Sequence, residues 1–84
     1  MQTVNVFDTW VKTSGHMLHF DVMTCDEATA LRLANEYVAS KGHTAITVTA
    51  QECRFCHAKP LVLFSEQHQR QFHESDGFIV PLTA

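Results

Sequence analysis

A chain of 84 residues with 45% hydrophobic and 18% charged side chains, three Gly and two Pro has the balance of a folded globular protein, and at this length it closes around one core as one domain, residues 1–84. Nine acidic and six basic residues give a formal charge of −3 with no run of Lys or Arg, which excludes the electrostatic footprint that a nucleic-acid partner demands. No stretch approaches the ~18 apolar residues of a membrane span, and M-Q-T-V-N-V-F-D carries neither the basic nor the apolar region of an export signal, so the chain reads as cytoplasmic with no membrane partner.

Residues 3–12, T-V-N-V-F-D-T-W-V-K, are rich in β-branched and aromatic types, and 16–23 alternate Leu18, Phe20 and Val22 with His19 and Asp21. They predict two strands. Between them T-S-G offers a three-residue hairpin loop, with Gly15 at a position where the missing Cβ removes a steric penalty. Thr24 and Glu27 have the T-x-x-E spacing of a capping box, and Ala30, Leu31, Ala34, Tyr37 and Val38 share one side at helical spacing before Gly42. A helix is expected from about 25 to 41.

In T-A-I-T-V-T-A, residues 44–50, Ile46 and Val48 alternate with Thr47 and Thr49, the pattern of a strand covered on one face. Pro60 suits a first helical turn, and Leu61, Phe64, His68 and Phe72 recur every three to four positions, so 60–75 predicts a second helix. A short strand at 61–64 with Ser65 capping a shorter helix is the alternative. F-I-V-P-L at 78–82 closes the chain as an edge strand, since Pro81 has no N–H to donate. The order ββαβαβ predicts an α+β two-layer sandwich: a four-stranded mixed sheet with two helices on one face.

Cys53, Cys56 and His57 spell C-x-x-C-H in the connection after the third strand. Covalent haem would need thioether bonds through both cysteines and His57 as axial ligand, and neither the α/β pattern nor the missing export signal suits it. A metal clip is better supported, because two thiolates three positions apart can meet one tetrahedral zinc or iron ion ~2.3 Å from each sulfur. His57 and His19 are the candidates to complete that ligand set, with His16, His68 and His73 as the other imidazoles that could supply a ligand. A redox pair would need a stabilised thiolate; Arg54 and a protonated His57 favour one, and Glu52 opposes it. In the bland alternative Cys53 and Cys56 are small buried residues, Phe55 anchors the loop, and His57 bonds a backbone carbonyl. In a cytoplasmic chain Cys25, Cys53 and Cys56 are expected to be reduced.

A second polar group, Asp8, His16, His19 and Asp21, belongs to the hairpin. With a three-residue loop Asp8 faces Phe20 and Trp10 faces Leu18; with a tighter S-G turn Asp8 joins His19 and Asp21. The tighter register would let an Asp-His-Asp cluster orient an imidazole or hold a metal. The looser one leaves His19 and Asp21 on a solvated face, and the T-S-G loop favours the looser one. No G-x-S-x-G, phosphate-cradling glycine loop or H-E-x-x-H is present to support catalysis.

F-D-T-W-V-K-T-S-G-H-M-L-H-F-D-V (7–22) followed by Q-E-C-R-F-C-H (51–57) resembles a small bacterial family known as domain of unknown function 2024. The resemblance implies a small α/β protein and no particular activity. The leading expectation is thus a small binding or accessory protein, not an enzyme, that holds a metal through the C-x-x-C-H loop. The alternatives are a thiol redox protein using Cys53 and Cys56, and an interaction module, monomer or homodimer, that pairs through a strand edge.

Overall fold

The computed structural model describes residues 2–53 and 58–81. In chain order they form β1 (Thr3–Thr13), β2 (Met17–Thr24), α1 (Glu27–Ser40), β3 (Ala45–Glu52), β4 (Lys59–Pro60), a 3-10 turn (Leu61–Leu63), α2 (Glu66–Ser75) and β5 (Gly77–Pro81). The fold is α+β with two helices. The sheet runs in the order β3-β1-β2-β5, with β4 set against the start of β1, and every pairing is antiparallel.

The expected four-stranded mixed sheet is therefore corrected to an antiparallel sheet of five strands among the described residues. The reason lies at Pro60, which is extended and pairs with Thr3, while the Leu61 N–H donates to the Gln2 carbonyl at 2.8 Å. These bonds hold the segment on β1 instead of in a helix. α2 starts only after Ser65, whose hydroxyl accepts from the His68 N–H at 3.2 Å and so satisfies a helix-end donor.

Side chains alternate across a strand, and β1 uses both sides. Phe7 and Val11 join Phe20, Val22 and Ala50 in a cluster with Ala30, Leu33, Ala34 and Val38 of α1. Val4 points the other way and packs with Leu61, Phe72 and Phe78, against which Met23, Phe64 and Val80 lie. The two helices thus cover opposite faces of the sheet, which corrects the expectation of both on one face. Phe72 is the buried residue of α2, so this helix covers only one end of its face.

Two local expectations also change. Asp26, not Thr24 with Glu27, caps α1: its carboxylate accepts from the Thr29 N–H at 2.8 Å, and that bond holds its pKa below the ordinary value. Thr24 ends β2, buried, and its hydroxyl donates to the Asp76 carbonyl at 2.6 Å, tying β2 to the end of α2. On β3, a bulge opposite Lys12 and Thr13 pairs Ala45 instead of Ile46 with Thr13, so Ala45 and Val48 pack toward α1, Ala50 is buried, and Ile46 is left 63% exposed.

Asp76 adopts the left-handed φ of 66° that ends α2, so Gly77 serves a different need. A Cβ there would lie 2.6 Å from both Leu33 Cδ1 and the Met23 carbonyl oxygen. Only glycine lets α1 sit this close to the junction of β2 and β5. Gly77→Ala is accordingly expected to cost ~1–3 kcal/mol of overpacking strain, read as a fall in Tm of roughly 4–8 °C per kcal/mol in a domain of this size. An unchanged melting temperature would contradict that close approach.

Candidate functional site

The hairpin register decides which side chains meet. The Thr13 N–H donates to the His16 carbonyl at 2.9 Å, closing a turn with Ser14 and Gly15 at its tip, and Gly15 takes a φ of +130° that is open to a residue without Cβ. The loop is therefore the tighter one, with Asp8 opposite Asp21 and Trp10 opposite His19. On the far side of β1, Asp8 faces Gln51 and Trp10 faces Thr49. Two rows result, Gln51-Asp8-Asp21 and Thr49-Trp10-His19, on the face opposite α1 and beyond the end that α2 covers.

Within these rows Asp8 holds two rings at once. The indole Nε1–H of Trp10 donates to Asp8 Oδ2 at 3.3 Å, and His19 Nε2 bonds Asp8 Oδ1. The two rings stack with centroids 3.8 Å apart and planes within 6°. With both carboxylate oxygens engaged, the imidazole is fixed in orientation, and its Nδ1 makes no hydrogen bond among the described residues. A neutral His19 donating through Nε2 would present Nδ1 as an acceptor. Trp10 remains 43% exposed, and Met17, two residues before His19 on the same face, is 57% exposed, so apolar surface lies beside the polar group.

Asp21 completes the group. Burial pushes its pKa above the ordinary 3.8, the Asp8 charge adds to the rise, and His19 opposes it. Two carboxylates directly opposite on adjacent strands repel, and His19 offsets part of this for Asp21.

The structure places the remaining candidates elsewhere. His16 sits at the turn, exposed, with its ring edge-on to His43 at 5.4 Å, apart from Asp8 and Asp21. Cys53 donates its N–H to the Val6 carbonyl, four residues along β1 from Trp10. At ~3.3 Å per residue and ~4.8 Å between strands, the backbones of His19 and Cys53 lie roughly 16 Å apart. His19 and Cys53 therefore cannot ligate one ion at bond lengths of ~2.0–2.3 Å, and His19 leaves the expected ligand set. Cys56 and His57 lie outside the described residues, with Arg54 and Phe55. Cys25 is a free thiol, but Cys53 is disulfide-bonded, against the expectation of reduced cysteines throughout. Among the described residues no group of three or more His, Cys, Asp or Glu is placed to hold a metal ion.

Trp10 was not among the candidates that motifs single out. Its signal was periodicity alone: residues 8 and 10 share a face of one strand, as 19 and 21 do on the next. Which pairs meet depended on one residue of loop length.

Residues 1–82 match the family described as Domain of unknown function (DUF2024). The chain belongs to this family. A solved relative with the same fold is protein NE1680 from Nitrosomonas europaea, determined by NMR. It is 26% identical, with a TM-score of 0.73 over 99% of this chain and 98% of that one. No curated protein matches the chain. No helix among the described residues is long and apolar enough to cross a membrane.

The raised Asp21 pKa fixes the sign of a pH effect. The folded state binds this proton more tightly than the unfolded chain, so above the folded pKa the charged Asp21 costs stability. That cost fades as pH falls through the folded value toward 3.8. Asp21→Asn should stabilise the protein at pH 7, by less than ~1 kcal/mol because the group is mostly solvated, with a gain that shrinks toward acid pH in denaturant titrations. Destabilisation at pH 7 would contradict the assignment.

Proposed function

We propose that the protein is a small binding protein whose ligand lies on the open half of the sheet, against Trp10 and within reach of His19 and Asp21. The observation that carries this reading is the Asp8 carboxylate clamped between the Trp10 indole and the His19 imidazole. Such a clamp holds two stacked rings in place before any ligand arrives, which lowers the ordering cost of binding. The chemistry of the face selects the ligand class. The indole offers apolar surface, the Asp21 carboxylate accepts hydrogen bonds, and the two aspartates give a negative field. A small flat molecule bearing N–H donors, such as an aromatic amine, complements all three.

A second reading rests on Cys53, whose disulfide-bonded state fits thiol–disulfide exchange better than metal ligation, since a metal takes the thiolate. It is the reading in which Cys53 acts with Cys56.

Trp10 is the one tryptophan of the chain, so its fluorescence reports on the proposed site without a label. Titration with a panel of aromatic amines and matched aromatic carboxylates should change the emission for the amines. His19→Ala and Asp21→Asn should each weaken their binding about tenfold or more, equivalent to ~1.4 kcal/mol. Equal response to the carboxylates, or affinity untouched by both substitutions, would refute the proposed ligand class.

A further inference from the structure

α1 ends at Ser40, and Gly42, at a φ of +81°, turns the chain back toward β3. Facing this end of the helix on β2, Leu18 packs on the core but stays half-buried, while Phe20 is buried with its ring edge-on to Tyr37 at 4.9 Å. Between β2 and the end of α1 lies a cavity of about 330 Å³ whose walls include Leu18, Phe20, Tyr37, Lys41 and His43. An apolar floor with a few polar groups converging above it is the usual composition of a small-molecule site.

The polar groups here are donors without partners. Among the described residues the Tyr37 hydroxyl, the Lys41 ammonium and the His43 ring make no hydrogen bond or ion pair: the ammonium lies 5.4 Å over the Tyr37 ring, and His43 stands edge-on to His16 at 5.4 Å. The end of α1 makes no claim on Lys41 either, because the carbonyls of Tyr37, Val38 and Ala39 already accept from the N–H groups of Lys41, His43 and Gly42. No Asp or Glu among the described residues lines the cavity.

We propose that this cavity binds a small monocarboxylate with an apolar tail, the carboxylate held by Lys41, Tyr37 and His43 and the tail laid on Leu18 and Phe20. A carboxylate accepts from several donors at once, and most strongly from a charged one. Phosphate dianions suit the place less: Lys41 is the one permanent cation in its walls, and the floor is apolar. A helix C-terminus by itself favours cations, so the anion depends on Lys41. The site is distinct from the group around Trp10, which lies on the opposite face of β2 and carries the opposite charge.

Titration of the isotope-labelled full chain with isovalerate, followed by nuclear magnetic resonance, tests this; an aliphatic probe keeps the readout apart from ring stacking on Trp10. Shifts at Leu18, Phe20 and Tyr37 should saturate with a dissociation constant on the order of 1 mM or below. Isoamyl alcohol, the same carbon skeleton without the charge, should bind at least about tenfold more weakly. Lys41→Gln, at an exposed position where folding is little affected, should raise the isovalerate constant about tenfold or more with circular dichroism unchanged. Tyr37→Phe, which keeps the ring on Phe20 and removes only the hydroxyl, should raise it as well. Absence of saturable shifts at these residues overturns the proposal. So does equal binding of the alcohol, or an affinity unmoved by Lys41→Gln or by Tyr37→Phe.

Discussion

β1 is hydrogen-bonded along both edges and packed on both faces, and its register with β2 assigns every side chain of the hairpin to one face of the sheet or the other. The pairing of Asp8 with Asp21 puts Phe7, Val11, Phe20 and Val22 together under α1. A slip of one residue on β2 would set His19 and Asp21 against that core and expose Phe20 and Val22. Burying each such apolar side chain is worth ~1.5–3 kcal/mol, while a whole domain is stable by only about 5–15 kcal/mol. The alternative register therefore lacks the stability to compete, and the short Ser14-Gly15 turn follows from the packing as much as it directs it.

That constraint explains what could be seen in the residue pattern and what could not. Strands at 3–12 and 16–23 and the helix before Gly42 are local features, visible in period-two and period-3.6 spacing. The hairpin register was hidden because T-S-G accommodates two loop lengths, and only the fit of Phe20 and Val22 under α1 decides between them. The face taken by α2 was likewise invisible: Leu61, Phe64 and Phe72 say that a segment is half-buried, not against which side of β1. Thr24 has the capping-box spacing locally, which points to the wrong residue. The buried bond from Thr24 to the Asp76 carbonyl, 52 residues away in sequence, commits the threonine to β2 and leaves Asp26 to cap α1.

The candidate site is a consequence of incomplete coverage. α1 spans its face of the sheet, whereas the 3-10 turn and the ten residues of α2 close only the Val4–Phe78 end of the other. The uncovered half holds the side chains that the register turns away from α1, and there Asp8, Trp10, His19 and Asp21 form an ordered polar group around an exposed indole. Cys53, the described residue of the C-x-x-C-H motif, stands apart: its N–H is bonded to the Val6 carbonyl, four residues along β1 from Trp10, well away from His19. Membership of the DUF2024 family and the fold shared with NE1680 support the architecture and assign no chemistry to either place.

The account rests on the pairing of β1 with β2, and cross-strand nuclear Overhauser contacts between backbone protons measure it directly. Contacts linking Asp8 with Asp21 and Trp10 with His19 are the result the account predicts. Contacts linking Asp8 with Phe20 and Trp10 with Leu18 would contradict it and dissolve the site with the register.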